Sequence, residues 1–410
     1  MSEEKTSLKR SLGLGLLILY GVGTMLGAGI YVLVGKVAGY AGMHAPLSFI
    51  AAAIVAAFTA LSYSQLSSMI PKSAGEVAFV EAGFKKRYLA SIVGWLVVFS
   101  GVVSSASLAT GFAGYLDTFI VLPHNFVEFL VILVLGLVAI WGIQESIILA
   151  SVISIIEVGG LILIIVVSGH HLSDLPQRWE EVNLFSGKGD YSGFLLGSFL
   201  AFFAFIGFED LANIAEESKN PQKNLPISIL VSLAIVTVLY IVISLISVLA
   251  LPLDELAASD APLADIVKQE SARLPAIMSV ISMIAVVNGV LIQVIMCSRV
   301  LYGMSRQGLT KEIFGRVSKK TRTPIQATTT VLFLVLFAAL LLPIVTLANT
   351  TSYIILFVFV MVNGALILLH KRKEEKSGKY IRVPKWVPWV GLTLCLFFLV
   401  LKTYIEITGA

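Results

Sequence analysis

The stretch GVGTMLGAGIYVLVG, residues 21–35, puts Gly21, Gly23, Gly27 and Gly29 within nine residues of an uncharged apolar run. Glycine loosens a helix, so this cluster marks either a seam of close helix packing or a helix interrupted near its centre. The run around it carries no charged residue from 11 to 35. Roughly 20 residues cross a hydrocarbon core of about 30 Å as a helix, so the run is long enough to span a membrane. Further charge-free runs occupy 37–71, 88–116, 224–253 and 274–298.

The composition agrees. The 410 residues are 57% hydrophobic and 13% charged, with a mean hydropathy of +0.93. Soluble domains carry about 25% charged residues, which excludes a soluble enzyme, a nucleic-acid binder and a disordered chain. A transmembrane barrel is excluded because its strands alternate apolar and polar residues. The chain reads as an all-α polytopic membrane protein. The N-terminus, MSEEKTSLKR, precedes too long an apolar run for a cleaved signal peptide. Cys297 and Cys395 each lie inside an apolar run, so neither a disulfide nor a metal framework is expected.

Eleven spans are predicted, near 12–37, 44–69, 89–116, 126–143, 146–169, 191–215, 225–251, 274–303, 325–343, 350–370 and 386–406. Pro343 and the polar stretch Asn349-Thr350-Thr351 divide the ninth from the tenth. With the N-terminus in the cytoplasm, 23 Lys and Arg residues face inward and six outward. That bias fixes the orientation, and an odd count of helices puts the C-terminus outside. The expected organisation is a cytoplasmic tail (1–11), helices 1–5 (12–170), an outer loop with helices 6–10 (171–370), and a cytoplasmic loop with helix 11 (371–410). The basic run 371–385 reads as a solvated anchor against the lipid surface.

A second glycine-marked site lies in the sixth span, FLAFFAFIGFEDLANIAEE, where Gly207 precedes Glu209 and Asp210. The first and sixth spans correspond if helices 1–5 and 6–10 are inverted repeats. Interrupted segments at matching positions point to a transporter's binding site. An unwound stretch frees backbone N–H and C=O groups that hydrocarbon cannot satisfy, so they must face protein, water or ligand. A half-helix N-terminus suits a carboxylate, and carbonyls or acids at the other break suit an ammonium group. Together they would fit an α-amino acid.

These segments resemble the amino acid–polyamine–organocation (APC) superfamily. LGAGIY at 26–31 is similar to its helix 1 signature. FFAFIGFEDLANIAEESKNPQKNLP at 202–226 is similar to its helix 6 and the following loop. PKSAGEVAFV at 71–80, NGVLIQVIMCSRVLYGMSRQG at 288–308 and LANTTSYIILFVFVMVNGALI at 347–367 resemble its first inner loop, helix 8 and helix 10. The resemblance implies the leucine-transporter (LeuT-type) fold, a 5+5 inverted repeat with broken helices 1 and 6, plus one extra C-terminal helix. Members commonly have twelve helices, and this chain has one fewer. Carried over, the motif puts Thr24, Met25, Gly27, Ala28 and Gly29 on the substrate-carboxylate side. It puts Phe203, Ala204, Phe205, Ile206 and Gly207 on the amino side and gate, with Phe203 where relatives hold a bulky closing aromatic. The competing reading of Phe203 is an ordinary core phenylalanine among 23.

Three carboxylates lie within spans: Glu157, Glu209 and Asp210. Each costs roughly 2.5–3.5 kcal/mol to insert at the bilayer centre, so each needs a partner, a proton or water. Glu209 is read as a capping residue or as a ligand and coupling group, Asp210 rather as a cap. Some proton-coupled relatives carry a lysine on helix 5 near the position of Glu157. The glutamate here suits a proton carrier, or a structural acid bonded to a carbonyl. The related sodium site uses adjacent hydroxyls on helix 8, where this chain reads AVVNGV, so Asn288 is a candidate for bonding a broken helix end or for packing. Ser104, Ser105 and Ser107 of helix 3 either touch substrate or close-pack helices.

No GxxxxGK[ST] loop or HExxH motif is present. His170 and His171 lie at an outer loop edge without a third ligand in sequence, and read as solvated. No cofactor is expected. The sequence therefore predicts a secondary amino acid transporter in the cell membrane, proton-coupled or exchanging. Polyamine or cationic amino acid transport, and a non-transporting amino acid sensor, are the alternatives.

Overall fold

Backbone polar groups in hydrocarbon must be satisfied within the segment, and the long apolar runs all become helices. The computed structural model describes residues 12–408 except 73, 142–145, 187–189, 319, 320, 322 and 373–380. The tail 1–11 and most of the basic run 371–385 thus lie outside the described residues.

The chain folds as α1 (Leu14–Ala28), α2 (Ile30–Ala41), α3 (Ala45–Met69), α4 (Gly75–Phe84), α5 (Arg87–Leu116), α6 (His124–Trp141), α7 (Ser146–Ser168) and α8 (Leu175–Val182). There follow α9 (Tyr191–Phe202), α10 (Asp210–Asn213), α11 (Pro221–Ala250), α12 (Leu253–Ala258), α13 (Pro262–Ile266) and α14 (Leu274–Arg306). The last three are α15 (Ile325–Leu341), α16 (Ile344–Arg372) and α17 (Val387–Thr408). Long apolar helices or shorter apolar pieces occupy every one of the eleven expected spans, and the chain is an all-α polytopic membrane protein.

The first span is α1 and α2, which meet at Gly29. The sixth is α9, a 3-10 turn at Phe203–Phe205, and the short α10. Between the turn and α10, Gly207 takes φ +124, a conformation that side chains rarely adopt. α1 and α2 pack among α7, α9, α11 and α14, so the two breaks are buried at the centre and α17 sits at the edge against α3 and α16.

Two boundaries differ from the sequence reading. Pro343 does separate α15 from α16, but α16 starts at Ile344 and runs through the polar stretch. The reason is local: Thr350 donates to the Thr346 carbonyl (2.7 Å) and Thr351 to that of Leu347 (3.0 Å), so the hydroxyls are satisfied inside the helix. The loop expected over 71–88 contains α4, which packs against α5, α10 and α16. Its first residue, Gly75, donates its N–H to Asn213 Oδ1 (2.9 Å), anchoring the helix beneath the end of the sixth span.

Candidate substrate site

The two breaks face each other. The Thr24 hydroxyl lies 2.9 Å from the Gly21 carbonyl and 3.0 Å from that of Gly207, joining α1 to the second break. A Cβ on Gly207 would stand 2.9 Å from the Thr24 backbone, and one on Gly29 would lie 2.2 Å from Ala204 Cβ. Glycine at these two points permits backbone contact that any side chain would prevent. Gly27 fits equally closely against Ala285 and Gly289 of α14. The Tyr240 hydroxyl, from α11, lies 2.7 Å from the Met25 carbonyl and 3.0 Å from the Ala204 carbonyl. One phenol thereby serves a carbonyl freed at each break. α2 begins without a side-chain cap, so its first N–H groups are the donors a helix N-terminus leaves free. The side chain of Ala28 lies outside the described residues.

Beside the breaks, a narrow cavity has room for no more than about one water, so its walls must separate to admit an amino acid. Ser100 and Ser104 of α5 line it, with Ile206, Glu209 and Asp210 of the sixth span and Gln293 and Cys297 of α14. Ser104 Oγ is buried without a hydrogen-bond partner among the described residues. Glu209 turns back to accept the Gly207 N–H through Oε2 at 2.9 Å. Asp210 does not cap α10. Its Oδ2 accepts from Gln293 Nε2 at 2.8 Å, because α14 brings that amide directly against it.

Glu157 and Asn288 meet on the far side of α1. Asn288 Nδ2 donates to Glu157 Oε1 at 2.8 Å, and both residues are fully buried. Gly23 makes room for the pair's neighbourhood: a Cβ there would stand 1.9 Å from Ser154 Oγ and 3.4 Å from Asn288 Nδ2. Glu157 Oε2 and Asn288 Oδ1 have no partner among the described residues. The Tyr31 hydroxyl donates to the Glu157 backbone carbonyl, and the Tyr115 hydroxyl to that of Tyr31, so α2, α5 and α7 are tied at one level.

Of the residues singled out from sequence, Ser104, Ile206, Glu209 and Asp210 line the cavity. Thr24, Met25, Gly29, Ala204 and Gly207 form the contact between the breaks, whereas Gly27 packs against α14. Phe203 and Phe205 are buried, Phe205 edge-on to Tyr240 at 5.2 Å. Ser105 donates to the Gly101 carbonyl of its own helix. Gln293 and Tyr240 escaped sequence reasoning: one polar residue and one aromatic in long apolar helices carry no periodic signal of their own.

Below the cavity, between the spans, Glu76 of α4 is 1% exposed. Burial raises its carboxyl to about 7, opposed first by its own backbone N–H and then by Asn213 and Tyr63. Tyr63 closes this end as the centre of an aromatic cluster, with edge contacts to Phe79, Phe208 and Phe359 at 5.5–5.9 Å.

A bundle of spanning helices whose two interrupted members face each other beside a polar cavity is the construction of a membrane transporter. Residues 12–407 match the amino acid permease family, and the chain belongs to it. It is 30% identical to the branched-chain amino acid permease BcaP of Bacillus subtilis, over 96% of this chain and 88% of that protein. The methylthioribose transporter of the same organism is similar to the same extent. The human cationic amino acid transporter 4 is 30% identical over 91% of this chain, which spans 62% of that protein. The family is one of permeases, in which transport and not catalysis is the activity, and the chain is an amino acid transporter.

Proposed function

We propose that this transporter works by alternating access, as a proton-coupled symporter or an exchanger, with its substrate between the two breaks. The carrying observation is the pairing of the Gly29 and Gly207 interruptions beside the cavity that Ser104 and Glu209 line. The substrate carboxylate is assigned to the uncapped start of α2, around Gly27, Ala28 and Gly29, with Thr24 and Met25 beneath it. The ammonium group is assigned to the second break, from Phe203 to Gly207, and Phe203 to closure over the substrate. Coupling is assigned to Glu157 with Asn288, and to Glu209. The supporting facts are that one Glu157 oxygen has no partner among the described residues and can carry a proton, and that Asn288 holds the other.

Two five-helix repeats, 12–170 and 171–370, are part of this reading, supported by the interruptions in the first and sixth spans. So is a cell-membrane location with the N-terminus cytoplasmic and the C-terminus outside. Cationic amino acids or polyamines are the second reading, favoured by the two carboxylates in the cavity wall and by the cationic transporter among the relatives.

A thermal-shift screen of the purified protein against amino acids and polyamines, followed by liposome uptake with and without an inward proton gradient, tests this. A neutral amino acid that stabilises the protein and enters faster with the gradient supports the main reading. Stabilisation by cations alone favours the second. Binding without uptake under any gradient or counter-substrate overturns transport and leaves a sensor.

A further inference from the structure

His170 and His171 follow α7 in a 3-10 turn, Gly169–Asp174. The sequence offers them no third ligand, yet the fold brings one from a hundred residues away. Glu270, in the turn before α14, directs one carboxylate oxygen at both rings. His170 Nε2 lies 3.5 Å and His171 Nε2 3.7 Å from Glu270 Oε1. These separations exceed the 2.7–3.2 Å typical of hydrogen bonds. They lie close to the edges of a tetrahedron: metal bonds of 2.0–2.2 Å put ligand atoms about 3.3–3.6 Å apart, so one separation falls within that range and the other is 0.1 Å beyond it. The three groups can place their ligand atoms within 4.8 Å of one another.

The opposite ring nitrogens are also arranged for such a role. His170 Nδ1 lies 3.2 Å from the Val167 carbonyl, and His171 Nδ1 lies 4.0 Å from Asp174 Oδ2. A metal-bound imidazole commonly gives its other N–H to a carbonyl or carboxylate, which orients the ring and sets the tautomer. Here the Val167 carbonyl stands in that place for His170, the Asp174 carboxylate lies near His171 Nδ1 but beyond hydrogen-bond distance, and both Nε2 atoms are turned toward Glu270. The rings lie side by side, centroids 4.2 Å apart. His170 is 60% exposed, so the fourth position opens to solvent and a water ligand.

We propose that His170, His171 and Glu270 form a site for a divalent transition-metal ion, zinc above all. Two imidazoles and one carboxylate suit a borderline cation rather than magnesium or calcium, and the lack of thiolate argues against copper(I). The ion would clamp the end of α7 to the turn that opens α14, at the end of the bundle away from the Lys- and Arg-rich loops.

The test uses the purified full chain without a polyhistidine tag, titrated with cobalt(II) and then zinc. One equivalent of cobalt should bind with the visible absorption of a tetrahedral complex, and zinc should displace it. Glu270→Gln and His171→Ala should each weaken zinc binding at least tenfold. His124→Ala, in the separate His124–Asp117 pair, should leave it unchanged. Zinc should raise Tm in the wild type and not in Glu270→Gln. No saturable equivalent, or equal affinity in Glu270→Gln, overturns the site. Metal binding is read without transport, so this result is independent of the amino acid assignment.

Discussion

Glu157 and Glu76 are both buried carboxyls, but their surroundings give them different work. The Glu157 carboxylate has one amide partner, Asn288, and sits against the helix that holds the first break. Glu157→Gln keeps the shape and can still meet Asn288, but it cannot gain or lose a proton. Uptake by this variant should lose its acceleration by an inward proton gradient, while substrate-induced thermal stabilisation persists. Unchanged gradient dependence would remove the residue from coupling. Glu76 lies outside the spans, and its effect falls on stability. Its folded carboxyl titrates near 7 against an ordinary 4.5, so the folded state holds the proton more tightly than the unfolded one. Its contribution is therefore intact below about pH 4.5 and is lost as pH rises through 7, by about 3 kcal/mol in all. Glu76→Gln should flatten that part of the profile, with a Tm above the wild type at pH 8 and close to it at pH 5. Equal slopes in the two proteins would refute the assignment.

At the scale of elements, the two interruptions depend on opposite kinds of residue. Gly207 is needed for what it lacks: with φ +124 and the Thr24 backbone 2.9 Å from a built Cβ, alanine there meets both strain and overlap. Backbone strain alone costs about 1–3 kcal/mol, and Gly207→Ala should lower Tm and abolish uptake. Tyr240 is needed for what it adds. Tyr240→Phe leaves the Met25 and Ala204 carbonyls unserved at the centre of the protein, a cost of about 1–3 kcal/mol. It should lower Tm with the protein still folded, whereas an unchanged Tm would mean that the phenol does not hold the breaks. The glycines were legible because composition alone betrays them within an apolar run, and so were the eleven spans. The tyrosine was not, since one aromatic in a thirty-residue apolar helix looks like any core residue. Gln293 and Glu270 were hidden for a related reason: each matters only through a partner that the fold brings from far along the chain. α4 escaped because a charged segment between spans reads as a loop, and the groove it fills exists only after α5, α10 and α16 have packed.

For the whole molecule, the decisive property is the asymmetry of charge between its two ends. Lys and Arg divide 23 to six between the alternate loops, and this bias orients a helical membrane protein during insertion. The structure adds a constraint that the count lacks. Arg87 at the start of α5 donates to the Gln307 carbonyl just after α14 (2.6 Å), which holds the beginning of one helix beside the end of another. Lys36, midway along α2, donates to the carbonyls of Ala257 and Ser259 at and just after the end of α12 (3.1 and 3.2 Å). These contacts join loops assigned to the same side, so the orientation must hold or fail for all of them together. Both native cysteines are buried, which leaves the background clean for labelling. An exposed site beyond α14, Lys311→Cys, should react with a membrane-impermeant maleimide only after cells are opened. Thr408→Cys, at the exposed end of α17, should react in intact cells. The reverse pattern would invert the protein. Labelling of both sites in intact cells would instead mean that the number of crossings between them is even, contrary to the three helices α15, α16 and α17.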